Sequence, residues 1–210
     1  VYGLYNVPYE NLFVEAIASY SDNRIKSKSR RVIATALETV GYQTANGKYK
    51  SESYTGQLMA GYTYMMPENI NLTPLAGLRY SAIKDKGYKE TGTTNQNLTV
   101  KGENYNSFDG LLGGKVSSNI NVNEEVVLTP ELYAMVDYAF KNKVPAIDAR
   151  LQGMTAPFPT NSFKQSKTSF DVGVGVTAKH KMMEYGINYD TNIGSKYFAQ
   201  QGSVKVRVNF

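Results

Sequence analysis

The chain has no cysteine, no tryptophan and a single histidine among its 210 residues, and only seven prolines. Without cysteine there are no disulfides and no thiolate chemistry. His180 alone, without Cys, leaves too few ligands for a zinc site, so no metal is expected. No nucleophile motif accompanies it as part of a catalytic triad. Gly110-Leu111-Leu112-Gly113-Gly114-Lys115 lacks the spacing and the Ser or Thr of a phosphate loop, and no cofactor is expected. No apolar run approaches the ~20 residues of a membrane helix, and the mean hydropathy is −0.39. That absence excludes a helical span only. A barrel strand gives lipid every second residue and escapes hydropathy windows. The net charge of +5 is mild and implies no nucleic-acid partner.

What the chain does have is 17 Tyr and 8 Phe. Tyrosine suits a boundary where one end of the ring is in lipid and the other is wet. The last eight residues are the most informative. Val204, Val206, Val208 and Phe210 fall on one face of an extended strand, and Lys205, Arg207 and Asn209 on the other.

The same period of two recurs. Leu12 to Tyr20, Tyr54 to Tyr64, Leu72 to Ala82, Ser107 to Val116, Val126 to Lys141, Phe170 to Lys179 and Glu184 to Ile193 all alternate apolar with polar. Val1 to Tyr5 reads as part of one more strand. The total is about nine, each long enough for the ~9–11 residues of a tilted membrane strand. Pro67-Glu68-Asn69, Asn119 to Glu125 and Met182-Met183 are short turns. Asp85 to Gly102, Asn142 to Gln165 and the excursion 22–53 are long; Asn46-Gly47 is the expected type I′ tip of that excursion. Short turns at one end and long loops at the other suit an outer-membrane barrel. Asn71-Leu72-Thr73-Pro74 and Val127-Leu128-Thr129-Pro130 form an internal echo, with Pro expected at a strand start.

The alternation assigns facing. Leu128, Leu132, Val172, Val174, Val204, Val206 and Val208 are expected on lipid. Arg79, Lys115, Lys141, Lys179, Lys205 and Arg207 are expected in the lumen against Glu15, Asp109, Glu131, Asp137 and Asp190. A soluble sandwich or lipocalin-like barrel would have to bury these charges, at high cost. The mixed signs suit a wet bore holding a polar helix or an extended chain, not a one-sign ion filter. Arg24, Lys26, Lys28 and Arg30 continue the outward parity of Tyr20, beyond the expected membrane edge, where lipopolysaccharide phosphates lie. The rival for this stretch is a solvated basic edge.

Leu72-Thr73-Pro74-Leu75-Ala76-Gly77-Leu78-Arg79-Tyr80-Ser81, Gly61-Tyr62 and the closing Val204-x-Val206-x-Val208-x-Phe210 resemble the autotransporter β-domain of type V secretion. The Tyr/Asn/Lys-rich texture resembles rickettsial surface-antigen autotransporters. The resemblance covers residues 1–210 as one translocator domain. It implies an all-β, transmembrane, antiparallel up-and-down β-barrel with twelve strands in the full domain and about nine in this chain. The α-helix through the pore and the first strands would precede Val1, and a start without Met fits a processed product or a fragment.

The resemblance further implies a bacterial outer-membrane location at the cell surface and a non-enzymatic role, anchoring and helping to export an N-terminal passenger. Its partners would be outer-membrane lipid and lipopolysaccharide, the barrel-assembly machinery reading Phe210, and the passenger encoded upstream, with the barrel monomeric. The rivals are a small adhesin or porin-like barrel without a passenger and, less favoured, an outer-membrane enzyme.

Overall fold

The structure, a computed structural model, describes residues 1–7, 11–34, 40–143, 147–160, 166–195 and 197–208. Its strands in chain order are β1 (Tyr2–Asn6), β2 (Leu12–Ala34), β3 (Val40–Tyr62), β4 (Tyr64–Met65), β5 (Ile70–Asp85), β6 (Tyr88–Lys89), β7 (Leu98–Val100) and β8 (Glu103–Ser118). They continue as β9 (Ile120–Asn121), β10 (Val126–Lys143), β11 (Ile147–Leu151), β12 (Phe158–Thr160), β13 (Thr168–His180), β14 (Met183–Gly194) and β15 (Tyr197–Val208).

Nine of them form an antiparallel wall in the order β1-β2-β3-β5-β8-β10-β13-β14-β15, with β4 on β5 and β9 on β10. Each neighbour in this order is also the next long strand along the chain, the up-and-down pattern that the resemblance implies. The wall is a curled half-barrel. Among the described residues, no ladder joins β1 to β15.

The curvature shows in the side chains. Arg79 of β5 reaches Asp137 of β10 across β8, and the Tyr133 hydroxyl of β10 donates to Asp190 Oδ1 of β14 across β13, at 2.8 Å. Strands two apart are separated by roughly 9.6 Å. Only on a concave face do their side chains converge. Glycine clears the path: a Cβ at Gly173 would fall 2.3 Å from the Tyr133 ring and 2.5 Å from Asp190 Oδ1.

The two Leu-Thr-Pro echoes share one device. Neither Pro74 nor Pro130 opens a strand, contrary to expectation; they lie inside β5 and β10. The neighbouring ladder breaks beside each. β3 and β4 are interrupted at Thr63, and β8 and β9 at Asn119. A proline has no N–H for a ladder and is accepted where pairing is interrupted. The adjacent threonine holds the residue at the break: Thr63 Oγ1 and Thr73 Oγ1 are 3.2 Å apart, and Thr129 Oγ1 donates to Asn119 Oδ1 at 2.9 Å.

Beyond the wall the fold departs from expectation. The described residues within 22–53 are strand, not loop. β2 and β3 pair without a break from Leu12↔Tyr62 to Ala34↔Val40. Asn46-Gly47 is therefore no turn; it lies within β3, opposite Lys28 and Ser27. Ile25, Val32, Tyr42 and Tyr49 supply β-propensity along this stretch. Gly47 makes room for a neighbour, since a Cβ there would meet Ser27 Oγ at 2.6 Å and the Tyr88 ring at 2.7 Å. The described parts of the two long polar segments also carry strands. They build a second, four-stranded sheet, β12-β11-β7-β6, here called the cap.

Candidate functional site

The concave face gathers the charges. Arg79 Nε lies 3.5 Å from Asp109 Oδ2, and its Nη2 is paired with Asp137. Ser107 Oγ donates to Asp109 at 3.2 Å. Both aspartates are buried. Register explains the meeting, because Arg79 is directly opposite Asp109 and Asp137 is opposite Leu111, one diagonal step away. The cluster borders a cavity of about 610 Å³ that continues past Ser169 and Asn192 to Tyr197. A second pair joins Lys115 and Glu131 at 3.9 Å. Asp190 holds the Tyr133 hydroxyl, and Asp171 holds the Asn192 amide. Arg207 lies 3.6 Å from Glu184. Lys179 and Lys205 are exposed. Alternation sets Asp171, Asn192 and Glu184 on the polar face; Tyr133, by contrast, carries no polar signal in the sequence.

Lys141 departs from the expected lumen set. A β-bulge between Ala139 and Lys141 shifts the register and sets Lys141 opposite Phe108. Directly opposed residues share a face, and Phe108 packs its ring on Phe140 at 5.8 Å, with both rings exposed. The inserted residue takes Lys141 out of the concave series.

The convex face is apolar and open. Leu132, Val172, Val174, Val204, Val206 and Val208 are exposed, Val204 at 78%. Leu128 is half-buried where β9 pairs beside it. Rings gather towards the cap end of this face: Tyr20 on Tyr54 at 5.0 Å, and Tyr138 edge-on to Phe140 at 5.5 Å. Phe210 lies outside the described residues.

At the opposite end, Glu125 Oε1 lies 3.1 Å from Lys181 Nζ and its Oε2 lies 3.3 Å from His180 Nε2. The hydrogen bonds from Lys181 and then His180 hold the Glu125 carboxyl below its ordinary value. His180 is thus a rim residue, and among the described residues no cluster of His, Asp and Glu is suited to a metal ion.

The cap clamps one face of the β2–β3 hairpin. Arg31 Nη2 reaches Glu90 Oε2 at 2.6 Å, and the same carboxylate oxygen accepts the Leu98 N–H at 2.8 Å. Asn46 and Thr91 exchange backbone bonds of 2.8 and 3.0 Å. Tyr88 stacks on Tyr49 at 4.9 Å; burial, then the charge of Glu90, pushes its hydroxyl pKa up. The other hairpin face carries Arg24, Lys26, Lys28 and Arg30, all exposed, with Arg30 over the Tyr42 ring at 5.1 Å.

Residues 1–190 match the family described as Autotransporter beta-domain. The chain is 93% identical over 210 residues to Outer membrane protein A of Rickettsia rickettsii, all of this chain but 9% of that protein. It is 37% identical over 203 residues to Outer membrane protein B of Rickettsia typhi, 96% of this chain and 12% of that protein. The chain therefore spans about a tenth of the length of these curated relatives. With an antiparallel up-and-down wall, apolar outside and charged within, it belongs to the autotransporter beta-domain family.

Proposed function

We propose that the chain is the membrane wall of a translocator that anchors an N-terminal passenger and helps to export it. Its setting is the bacterial outer membrane at the cell surface. One observation carries the reading: the charged concave face. Arg79, Asp109 and Asp137, the Lys115–Glu131 pair and Asp190 give a hydrated lining of both signs. Such a lining slides past an extended polar chain without trapping it through one charge. Leu132, Val172, Val174 and their neighbours give lipid the opposite face. Lys179, Lys205 and Arg207 extend the bore towards β15.

The chain itself performs no catalysis in this reading and acts as a monomer. Strands and a helix ahead of Val1 would close the half-barrel, since lipid tolerates no open edge. The terminal aromatic, Phe210, would mark the last strand for the barrel-assembly machinery. The relatives are far longer than this segment, which suits a large passenger better than a stand-alone adhesin or porin-like barrel.

The test is surface display by the full-length protein carrying an epitope upstream of Val1. Protease added to intact cells should remove the epitope, and deletion of residues 1–210 should leave it inside. An epitope equally exposed without this segment would overturn the reading.

A further inference from the structure

The β2–β3 hairpin has two unlike faces. On one, Arg31 and Tyr49 are engaged by Glu90 and Tyr88 of the cap. On the other, the register places Lys50 directly opposite Arg24 and Lys48 directly opposite Lys26. Two consecutive rungs thus pair cation with cation. Like charges directly opposed across a strand pair destabilise a sheet. Among the described residues, no ion pair offsets Arg24, Lys26, Lys28, Lys48 or Lys50. The acids on the same face lie lower, at Asp22 and Glu52, and Glu52 is already bonded to Lys86 at 3.0 Å.

The ladder's height identifies its occupant. Tyr20 and Tyr54, packed together at 5.0 Å, sit on the outward face, where aromatic rings mark a membrane boundary. Arg24 and Lys50 follow four residues further, roughly 13 Å along the strand at ~3.3 Å per residue. Above the Asp22–Glu52 rung this face therefore becomes cationic.

We propose that the two-stranded ladder Arg24–Lys50, Lys26–Lys48 and Lys28 binds the phosphates of a lipid A-type glycolipid in the outer leaflet. Phosphate oxygens offset the cross-strand repulsion and accept charge-assisted hydrogen bonds from Arg and Lys. The ladder then acts as a collar that fixes the depth of the barrel and holds the projecting hairpin upright against the leaflet. This inference rests on the outer-membrane reading of the wall.

The test uses the full-length protein in bilayers with lipid A, with dephosphorylated lipid A, or with phosphatidylglycerol as the only additive. Heat-modifiable mobility first shows that the barrel is inserted; failure there removes the membrane reading itself. In inserted protein, lipid A should raise the unfolding temperature by about 5 °C, the scale on which a bound ligand stabilises a domain of this size. The two other lipids should not. A variant with Arg24→Gln, Lys26→Gln, Lys48→Gln and Lys50→Gln should lose the rise and retain lipid A about tenfold less tightly. A charge-matched control with Lys89→Gln, Lys101→Gln, Arg150→Gln and Lys181→Gln should keep both. An equal rise with phosphatidylglycerol or dephosphorylated lipid A, or a rise that survives in the ladder variant, would overturn the proposal.

Discussion

The wall and the cap are both antiparallel sheets, yet they are stable for opposite reasons. In the wall the large apolar side chains point away from the protein; Val204, Leu112 and Ile187 are more than 60% exposed. In the proposed membrane wall lipid is their solvent, and the polar groups are gathered inside. Among its described residues the cap has no such outward apolar band. Its buried residues are small or polar, among them Ala149, Thr93 and Glu90. It is held by hydrogen bonds such as Asn97 Nδ2 to Gln152 Oε1 at 2.7 Å and Lys101 N to Asp148 O at 3.0 Å. The wall depends on which solvent bathes it; the cap depends on partners that are mutually satisfied.

The largest expected effect lies inside the wall. Arg79→Met strands Asp109 and Asp137 without their cation, and breaking a buried pair costs about 3–5 kcal/mol. Urea unfolding of the inserted barrel reads it. Next is Val174→Arg, a charge in the lipid band, expected to cost about 2–4 kcal/mol in bilayers. The same substitution of an exposed cap residue, Leu151→Arg excluded because it is half-buried, should be nearly silent; Phe158→Arg serves, and a cost as large as that of Val174→Arg would erase the contrast.

Glu90→Gln weakens the carboxylate that receives Arg31 and the Leu98 N–H. About 1–3 kcal/mol is expected. Hydrogen exchange should quicken in β6 and β7 while the wall keeps its protection. The smallest effect is at the short-turn rim. The Glu125 pKa is lowered in the folded chain from an ordinary 4.5. Its contribution is therefore complete above pH 4.5 and is lost as the pH falls below that value. Glu125→Gln should lower the melting temperature slightly at neutral pH, and the gap should close in acid.

The difference between the regions also decides what was legible. The wall strands were readable because one face is apolar and the other polar, so Val172-Gly173-Val174 and Val204-Lys205-Val206 carry a period of two. The upper hairpin was not. Arg24-Ile25-Lys26-Ser27 alternates charged with small or apolar residues, and the covered face owes its burial to a cap that lies far along the chain. Asn46-Gly47 suggested a turn because Gly commonly serves turns; here Gly47 admits the Tyr88 ring. β6, β7 and β12 span two or three residues each and pair with distant segments, too short for any period to show. Lys141 was misassigned because a bulge changes parity without any mark in composition. The Arg79–Asp109–Asp137 cluster was legible as a face, but not as a contact, since that depends on register and curvature.

The most direct test of the account uses the absence of cysteine. Leu132 and Glu131 are adjacent in the middle of β10, on opposite faces. Single variants Leu132→Cys and Glu131→Cys in the full-length protein would each carry the only thiol of this domain. In inserted protein, the thiol at position 132 should react with a bilayer-restricted maleimide and resist a membrane-impermeant one, and the thiol at position 131 should do the reverse. Water-side labelling at 132 together with lipid-side labelling at 131 would contradict the assignment of the two faces, and with it the membrane wall.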